Sequence, residues 1–269
     1  MSRIGVVKEL LHGDARARGR VLDAGTGGGF MTEILAEFRP AELHSVSVDE
    51  SAFAAARSRL PSDLRDRVCF FQGDLDDLGL LPGAGYDLIV GDYLMAAAAG
   101  HRPFREIDLL RGLVGRLGPG GLLVLTGLEP LAVCRTAEEE VVRTIQRWWT
   151  GLTYLGGEEM YREVPARWVV DRLRELAVPS NSTTILEVEE PRFTPPLLWS
   201  LSQLRGLAED AVRRAGGGGE ARLASFARSY LQDVCRRAAR LPGFATGAGR
   251  VAWSRDWIIR ATRACGHST

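Results

Sequence analysis

A short apolar segment that carries one acid and then runs into a turn of glycines constrains this chain more than any other feature. It is the stretch 21–30, Val-Leu-Asp-Ala-Gly-Thr-Gly-Gly-Gly-Phe, and the pattern predicts a helix that starts at about Met31. A buried parallel strand that ends in glycines leaves bare backbone against which a ligand can lie. The amides that open the next helix would face that ligand with their partial positive charge. The sequence therefore predicts a nucleotide-like cofactor at this turn.

The spacing of the glycines distinguishes two kinds of cofactor site. The dinucleotide fingerprint is G-x-G-x-x-G/A, and its third position must be small so that helix and strand pack closely. Read from Gly25, that third position holds the bulky Phe30. The pattern that does fit is D-x-G-x-G-x-G, formed by Asp23, Gly25, Gly27 and Gly29. It resembles motif I of the class I S-adenosylmethionine-dependent methyltransferases.

Two further predicted strands end in acids where this resemblance implies cofactor contacts. Residues 45–48 alternate like a strand and are followed by Asp49, and an acid at the tip of the second strand accepts hydrogen bonds from ribose hydroxyls in dinucleotide sites. Residues 68–71 read as a third strand and run into Asp74, and in the family an acid at this place bonds the adenine amino group. The resemblance thus implies S-adenosyl-L-methionine as the cofactor. The residues expected to contact it are Asp23, Gly25, Thr26, Gly27, Asp49, Glu50, Gly73, Asp74, Leu75, Gly91 and Asp92.

A fourth predicted strand, 86–90, closes on Gly-Asp-Tyr-Leu, the position of the family's motif IV. This motif lies beside the methyl group in relatives, so the resemblance implies Asp92 and Tyr93 as the residues that would act on an acceptor. A structural role for Asp92, in which its carboxylate accepts hydrogen bonds from backbone amides, is an equal alternative. His101, in a predicted loop after this strand, is a further candidate base. The alternative is a solvent-exposed histidine without a catalytic role. The motif lacks the N/D-P-P-Y/F pattern of enzymes that methylate amino groups of bases or glutamine.

The order of strands and helices predicts an α/β fold. Residues 117–123, Leu-Gly-Pro-Gly-Gly-Leu-Leu, form an L-x-P-G-G-x-L step that is common before strand five in class I methyltransferases and not expected in nicotinamide enzymes. The resemblance implies a seven-stranded Rossmann-like sheet, mostly parallel, with an antiparallel last strand. We predict strand six over 183–190 and the last strand over 257–261, too far apart for a hairpin loop.

Apolar periodicity in the intervening stretch predicts two amphipathic helices. We therefore predict a single domain over 1–269 with a helical insertion over 197–241. That insertion is expected to cover the acceptor pocket as a lid, together with the aromatic stretch 148–161, or else to form an interface between subunits.

Composition excludes several other classes of protein. The formal net charge of the 269 residues is zero, so no global field draws the chain to nucleic acid or to an anionic membrane. The four cysteines are scattered without a C-x-x-C motif, which predicts no metal site and fits a reducing cytoplasm. We find neither a signal peptide nor an apolar run long enough to span a bilayer.

The leading hypothesis is an S-adenosylmethionine-dependent methyltransferase that acts on a small molecule, as a monomer or a homodimer. A methyltransferase on RNA or protein is an alternative, although the neutral charge and the absence of a recognisable RNA-binding module disfavour nucleic acid. A non-catalytic S-adenosylmethionine-binding protein and a nicotinamide enzyme are the remaining alternatives. The row of acids argues against the first, and Phe30 argues against the second. The sequence leaves the acceptor atom open.

Overall fold

The computed structural model describes residues 2–75, 78–130, 133–157, 160–177, 185–217, 221–245 and 249–265. The chain divides into two compact units. We call the first the sheet unit, which consists of Met1–Leu128, Glu163–Thr194 and Asp256–Thr269. The second, the helical unit, consists of Glu129–Arg162 and Pro195–Arg255.

The helices and strands alternate through the first half of the chain, as a parallel sheet requires. In chain order the helices are α1 (Arg3–Leu11), α2 (Phe30–Glu37), α3 (Glu50–Arg59), α4 (Leu94–His101), α5 (Glu106–Arg116), α6 (Ala137–Leu155), α7 (Ala166–Leu176), α8 (Leu201–Gly217), α9 (Ala221–Ala238) and α10 (Pro242–Ala245). The strands are β1 (Arg20–Ala24), β2 (Glu42–Ser47), β3 (Val68–Gln72), β4 (Tyr86–Asp92), β5 (Leu117–Leu128), β6 (Leu186–Val188), β7 (Arg192–Phe193), β8 (Leu197–Ser200), β9 (Arg250–Ser254) and β10 (Asp256–Arg263).

The sheet of the first unit has the order β3-β2-β1-β4-β5-β10-β6, and β7 pairs with β10 as well. Strands β1 to β5 are parallel, while β10 runs antiparallel to both β5 and β6. The predicted α/β class and antiparallel last strand are confirmed. The sheet has eight strands rather than seven because Arg192 and Phe193 pair with Ile258 and Trp257 of β10. Positions 183 and 184 of the predicted sixth strand lie outside the described residues.

The central strands β1, β4 and β5 are buried on both faces, which explains their continuous apolar runs. Val21 of β1 belongs to a cluster with α1 and α2, where Met31 and Leu35 lie. Leu22 belongs to a cluster with α4, α5 and α7, where Leu110 and Val169 lie. Neighbouring residues of a strand point to opposite faces, so β1 is the centre of two separate cores. This packing fixes the carboxyl ends of β1 to β4 along one edge of the sheet.

The helical unit has a core of its own. Val142 and Ile145 of α6 share a buried cluster with Leu204 and Ala211 of α8 and with Leu231 of α9. Strands β8 and β9 form a separate two-stranded antiparallel sheet in the same unit.

The helical unit extends beyond the predicted insertion over 197–241 in both directions, and it includes α6. The apolar stripe of α6 packs against α8 and α9 within this unit. The choice between a lid and a subunit interface stays a prediction.

Candidate functional site

The glycine-rich turn follows β1 directly, and its backbone adopts conformations that glycine favours. Gly25, Gly27 and Gly29 have φ angles of 93°, 49° and 81°. The backbone N–H and the Oγ1 hydroxyl of Thr26 both donate to the carbonyl oxygen of Val46, at 2.8 and 3.1 Å. The Thr26 side chain therefore ties the turn to the end of β2, and the turn offers a ligand its backbone.

Two of these glycines are required for different reasons. A Cβ atom at Gly29 would lie 2.4 Å from the Cα of Ala56, so this glycine lets α2 pack closely against α3. A Cβ atom at Gly27 would meet nothing nearer than the carbonyl oxygen of Gly25 at 3.9 Å. Gly27 is therefore needed for its positive φ alone, and the space beside it is open.

Asp23, the acid of the turn motif, is fully buried in β1. Its Oδ2 accepts hydrogen bonds from the hydroxyls of Thr32, at 2.5 Å, and Ser45, at 3.3 Å. Its Oδ1 has no hydrogen-bond partner among the described residues. Burial is the main cause that raises the pKa of Asp23 to about 7, and the hydrogen bond from Thr32 opposes it. A buried carboxylate oxygen without a hydrogen bond lowers the folding stability, so this atom is suited to accept a hydrogen bond from an N–H group of a ligand.

Asp49 caps the N-terminus of α3 at the carboxyl end of β2. Its two oxygens accept from the backbone N–H of Ser51 at 2.8 Å and from the Ser51 hydroxyl at 2.6 Å. These hydrogen bonds lower the pKa of Asp49, so the exposed carboxylate is ionised at neutral pH. Glu50, the first residue of α3, is also exposed.

The segment after β3 carries the third expected group of cofactor contacts. The backbone N–H of Gly73 donates to the carbonyl of Ser47 at 3.0 Å, which holds the segment beside the end of β2. Leu75 is partly buried against the core. Asp74 forms an ion pair with Arg102 at 2.6 Å. This acid is thus partly exposed at the sheet edge, with a cationic neighbour that the motif did not indicate.

Asp92 ends β4 and is held by two side chains. The Arg3 guanidinium forms a two-pronged ion pair with it, with Nε 3.0 Å from Oδ1 and Nη2 3.1 Å from Oδ2. The Thr126 hydroxyl also donates to Oδ1, at 2.5 Å. Burial raises the pKa of Asp92, and the charge of Arg3 opposes that rise. The carboxylate is held by side chains rather than by backbone amides. No sequence motif indicated Arg3, which lies 89 positions away.

Tyr93 follows Asp92 in a left-handed conformation, with φ of 53°, and Gly91 precedes them in the strand. The Tyr93 hydroxyl donates to Oδ1 of Asp256 in β10 at 2.5 Å, and the guanidinium carbon of Arg3 lies 4.0 Å from the centre of the Tyr93 ring. Burial and the bond to Asp256 raise the pKa of Tyr93 far above 10, so the phenol keeps its proton. Strained backbone of this kind is often found at functional sites.

His101 does not lie in a loop as predicted. It is the last residue of α4, which begins directly after Tyr93, and its side chain is exposed. The four alanines at 96–99 favour a helix because alanine has the highest helix propensity. His101 is therefore placed at the far end of α4 from the motif IV residues.

The expected cofactor residues lie at one edge of the sheet. The glycine turn, Asp49, Asp74 and Asp92 follow the carboxyl ends of β1, β2, β3 and β4, which are parallel neighbours. In open α/β sheets this edge is where ligands bind. The described part of the chain contains no group of three or more His, Cys, Asp or Glu side chains suited to a metal ion. None of its helices has the length and apolarity needed to span a membrane.

Together, the parallel sheet, the glycine turn and the acids along its edge define a nucleotide-cofactor domain of the methyltransferase type. Comparison with protein families agrees, because residues 21–121 match a family described as "Methyltransferase domain". Residues 21–121 of the chain therefore carry a methyltransferase domain.

The chain is also similar to individual proteins. It is 33% identical over 108 residues to an uncharacterized protein of Synechococcus, an alignment that covers 39% of this chain and 24% of that protein. The chain spans only 24% to 32% of the length of the curated relatives it matches.

Solved structures share the fold over nearly the whole chain. A putative methyltransferase from Bacillus halodurans superposes with a TM-score of 0.59 at 16% identity, covering 96% of this chain and 99% of that one. Magnesium protoporphyrin IX methyltransferase from Synechocystis, solved with bound S-adenosylhomocysteine, gives a TM-score of 0.54 at 14% identity, covering 97% of this chain and 82% of that one. Identities this low establish the fold and not the substrate.

Proposed function

We propose that this protein transfers a methyl group from S-adenosyl-L-methionine to a small-molecule acceptor. One observation carries the proposal: a turn with positive φ at Gly25 and Gly27, and with open space beside Gly27, directly follows the strand that holds Asp23, whose buried Oδ1 has no partner among the described residues. A bare glycine turn suits a nucleotide-like ligand, and a buried acceptor oxygen suits an ammonium group. A cofactor that carries both an adenosine and an amino-acid end matches the two features.

The residues along the sheet edge fit the parts of this cofactor. Asp23 would accept from the ammonium group, and the ionised Asp49 would accept from the ribose hydroxyls. Asp74 would accept from the adenine amino group, beside the partly buried Leu75. The turn at Gly25 would lie against the methionine portion through its backbone. When bound, the cofactor supplies a methyl group that its sulfonium already activates.

The motif IV residues offer positioning rather than strong base catalysis. Asp92 is engaged by Arg3 and Thr126, and Tyr93 keeps its proton on a hydrogen bond to Asp256. A base is required only where the acceptor is protonated at the working pH. The chain would therefore act by aligning an acceptor that is already nucleophilic and by excluding water, which alone supplies a large rate gain.

The absence of net charge supports a small acceptor over a polyanion. Methyl transfer to RNA or protein remains the alternative, and assays with those substrates against small amines, alcohols and carboxylates distinguish the two. The product of such an assay would show which atom of the acceptor is methylated.

Calorimetry with the full chain tests the cofactor. We expect S-adenosylhomocysteine to bind and NAD to show no comparable affinity. Asp49→Ala removes a charged acceptor and should weaken S-adenosylhomocysteine binding about ten- to a hundredfold. Asp63→Ala is the matched control, because it removes an exposed carboxylate that pairs with Arg39 on the segments that precede β2 and β3 rather than those that follow them. A preference for NAD, or equal affinities for the two variants, would contradict the proposal.

A further inference from the structure

The helical unit contains a cavity of about 630 Å³ between α8 and α9. Each helix lines it with residues at helical spacing that share one face, and the side chains in the middle of that face are small or apolar. Ala208 and Val212 of α8 and Leu231 and Cys235 of α9 line it, and all four side chains are buried. The cavity lies within the size range of small-molecule sites, and its floor is apolar.

The rim of this cavity is strongly basic. It carries four exposed arginines, which are Arg205, Arg213, Arg228 and Arg236. Two of them are neutralised on their own helices, since Arg213 pairs with Asp210 at 3.1 Å and Arg236 pairs with Asp233 at 3.3 Å. Arg205 and Arg228 have no ion-pair partner within the described ranges. Glu209 is the one acid among the described lining residues.

Solvated helix faces account for arginines in many proteins, but they do not account for the space between these helices. Packed helices normally close such a gap, because protein interiors are packed to crystal-like density. Here the buried side chains of α8 and α9 leave the space open, and two guanidiniums at its rim form no ion pair within the described ranges, although Glu209 also lines it. An apolar floor with unpaired cations at its rim is complementary to a molecule that has an apolar body and one negative end.

We propose that the cavity between α8 and α9 binds an amphipathic carboxylate, with its apolar body on the floor and its carboxylate at Arg205 or Arg228. The guanidinium group suits this role because its planar fork matches the geometry of a carboxylate. Every lining residue belongs to the helical unit, so the site shares no residue with the expected cofactor site. Its failure would leave the proposed methyl transfer intact.

The test measures displacement of the fluorescent anion 8-anilino-1-naphthalenesulfonate from the full chain by decanoate and by the uncharged 1-decanol. We expect decanoate to displace the dye and 1-decanol to compete about threefold to fivefold less well. The double variant Arg205→Gln/Arg228→Gln should weaken decanoate binding about threefold to fivefold. The matched control Arg222→Gln/Arg240→Gln removes two exposed arginines of the same unit outside the cavity lining and should leave it unchanged.

A filling variant, Ala208→Phe, should reduce dye and decanoate binding together, and circular dichroism checks that it folds. Because the four arginines are exposed, the charge variants test the proposal even if the filling variant unfolds. Equal competition by decanoate and 1-decanol would overturn the proposal, as would equal effects of the two double variants. Displacement by a single-stranded RNA, with the same arginine dependence but no response to decanoate, would assign the arginines to nucleic acid instead.

Discussion

The buried carboxyl of Asp23 should make the stability of the protein depend on pH in a direction opposite to that of most acids. In the folded protein its pKa is about 7, against 3.8 for an ordinary aspartate, mainly because the group is fully buried. Between those values the folded state holds a proton that the unfolded chain has lost. Folding stability therefore falls as pH rises from about 4 to about 7, and levels off above that.

The size of this effect follows from the difference of about three pKa units. Each unit corresponds to about 1.4 kcal/mol, so the ionisable group costs about 4 kcal/mol of stability at pH 8 relative to pH 4. Asp23→Asn removes the ionisation and keeps an acceptor and a donor for the hydroxyls of Thr32 and Ser45. The variant should gain stability relative to wild type by about 4 kcal/mol across this pH range.

Urea unfolding of wild type and Asp23→Asn at a series of pH values measures this gain, because other titrating groups cancel in the difference. Asp63→Asn, which changes an exposed carboxyl, is the control for the replacement of an acid by an amide. If the difference between wild type and Asp23→Asn is constant from about pH 4 to pH 8, the account of Asp23 as a buried acid with a raised pKa is refuted.

Two further substitutions test the local geometry by urea unfolding. Gly29→Ala should destabilise the protein by about 3 kcal/mol, because φ is positive and the new Cβ would meet the backbone of Ala56, whereas Gly28→Ala meets only ordinary contacts and should cost less than about 1 kcal/mol. Similar losses for the two would contradict the packing argument. Arg3→Gln should cost about 3 kcal/mol by leaving the mostly buried Asp92 unpaired, and adding Asp92→Asn should recover much of the loss. Additive losses in the double variant would show that the ion pair is not coupled.

The turn and the strand ends could be predicted because their signals are local. The helix after β1 begins at Phe30, one residue from the predicted start, and β3 and β4 begin at the predicted residues. Glycines that need positive φ, such as Gly25 and Gly27, mark a turn whatever the rest of the chain does. The parallel order then brings acids that are distant in sequence to one edge.

The partners of these acids could not be predicted, because they depend on long-range packing. Arg3 reaches Asp92, and Tyr93 reaches Asp256, across separations of 89 and 163 positions that carry no spacing rule. The sequence also does not show which elements α6 packs against, because its apolar stripe would fit any apolar surface. The start of α7 at Ala166 could be read from the sequence, because it follows Pro165 and proline favours the start of a helix.

A crystal structure of the full chain with S-adenosylhomocysteine tests the central claim most directly. The account predicts density for the ligand against the backbone at Gly25 and Gly27, with ribose hydroxyls about 2.5–3.0 Å from the carboxylate of Asp49. The amino group of the ligand should lie within hydrogen-bond distance of Oδ1 of Asp23, the atom that has no partner among the described residues. Well-ordered density at another place on the chain, with this turn empty, would contradict the account.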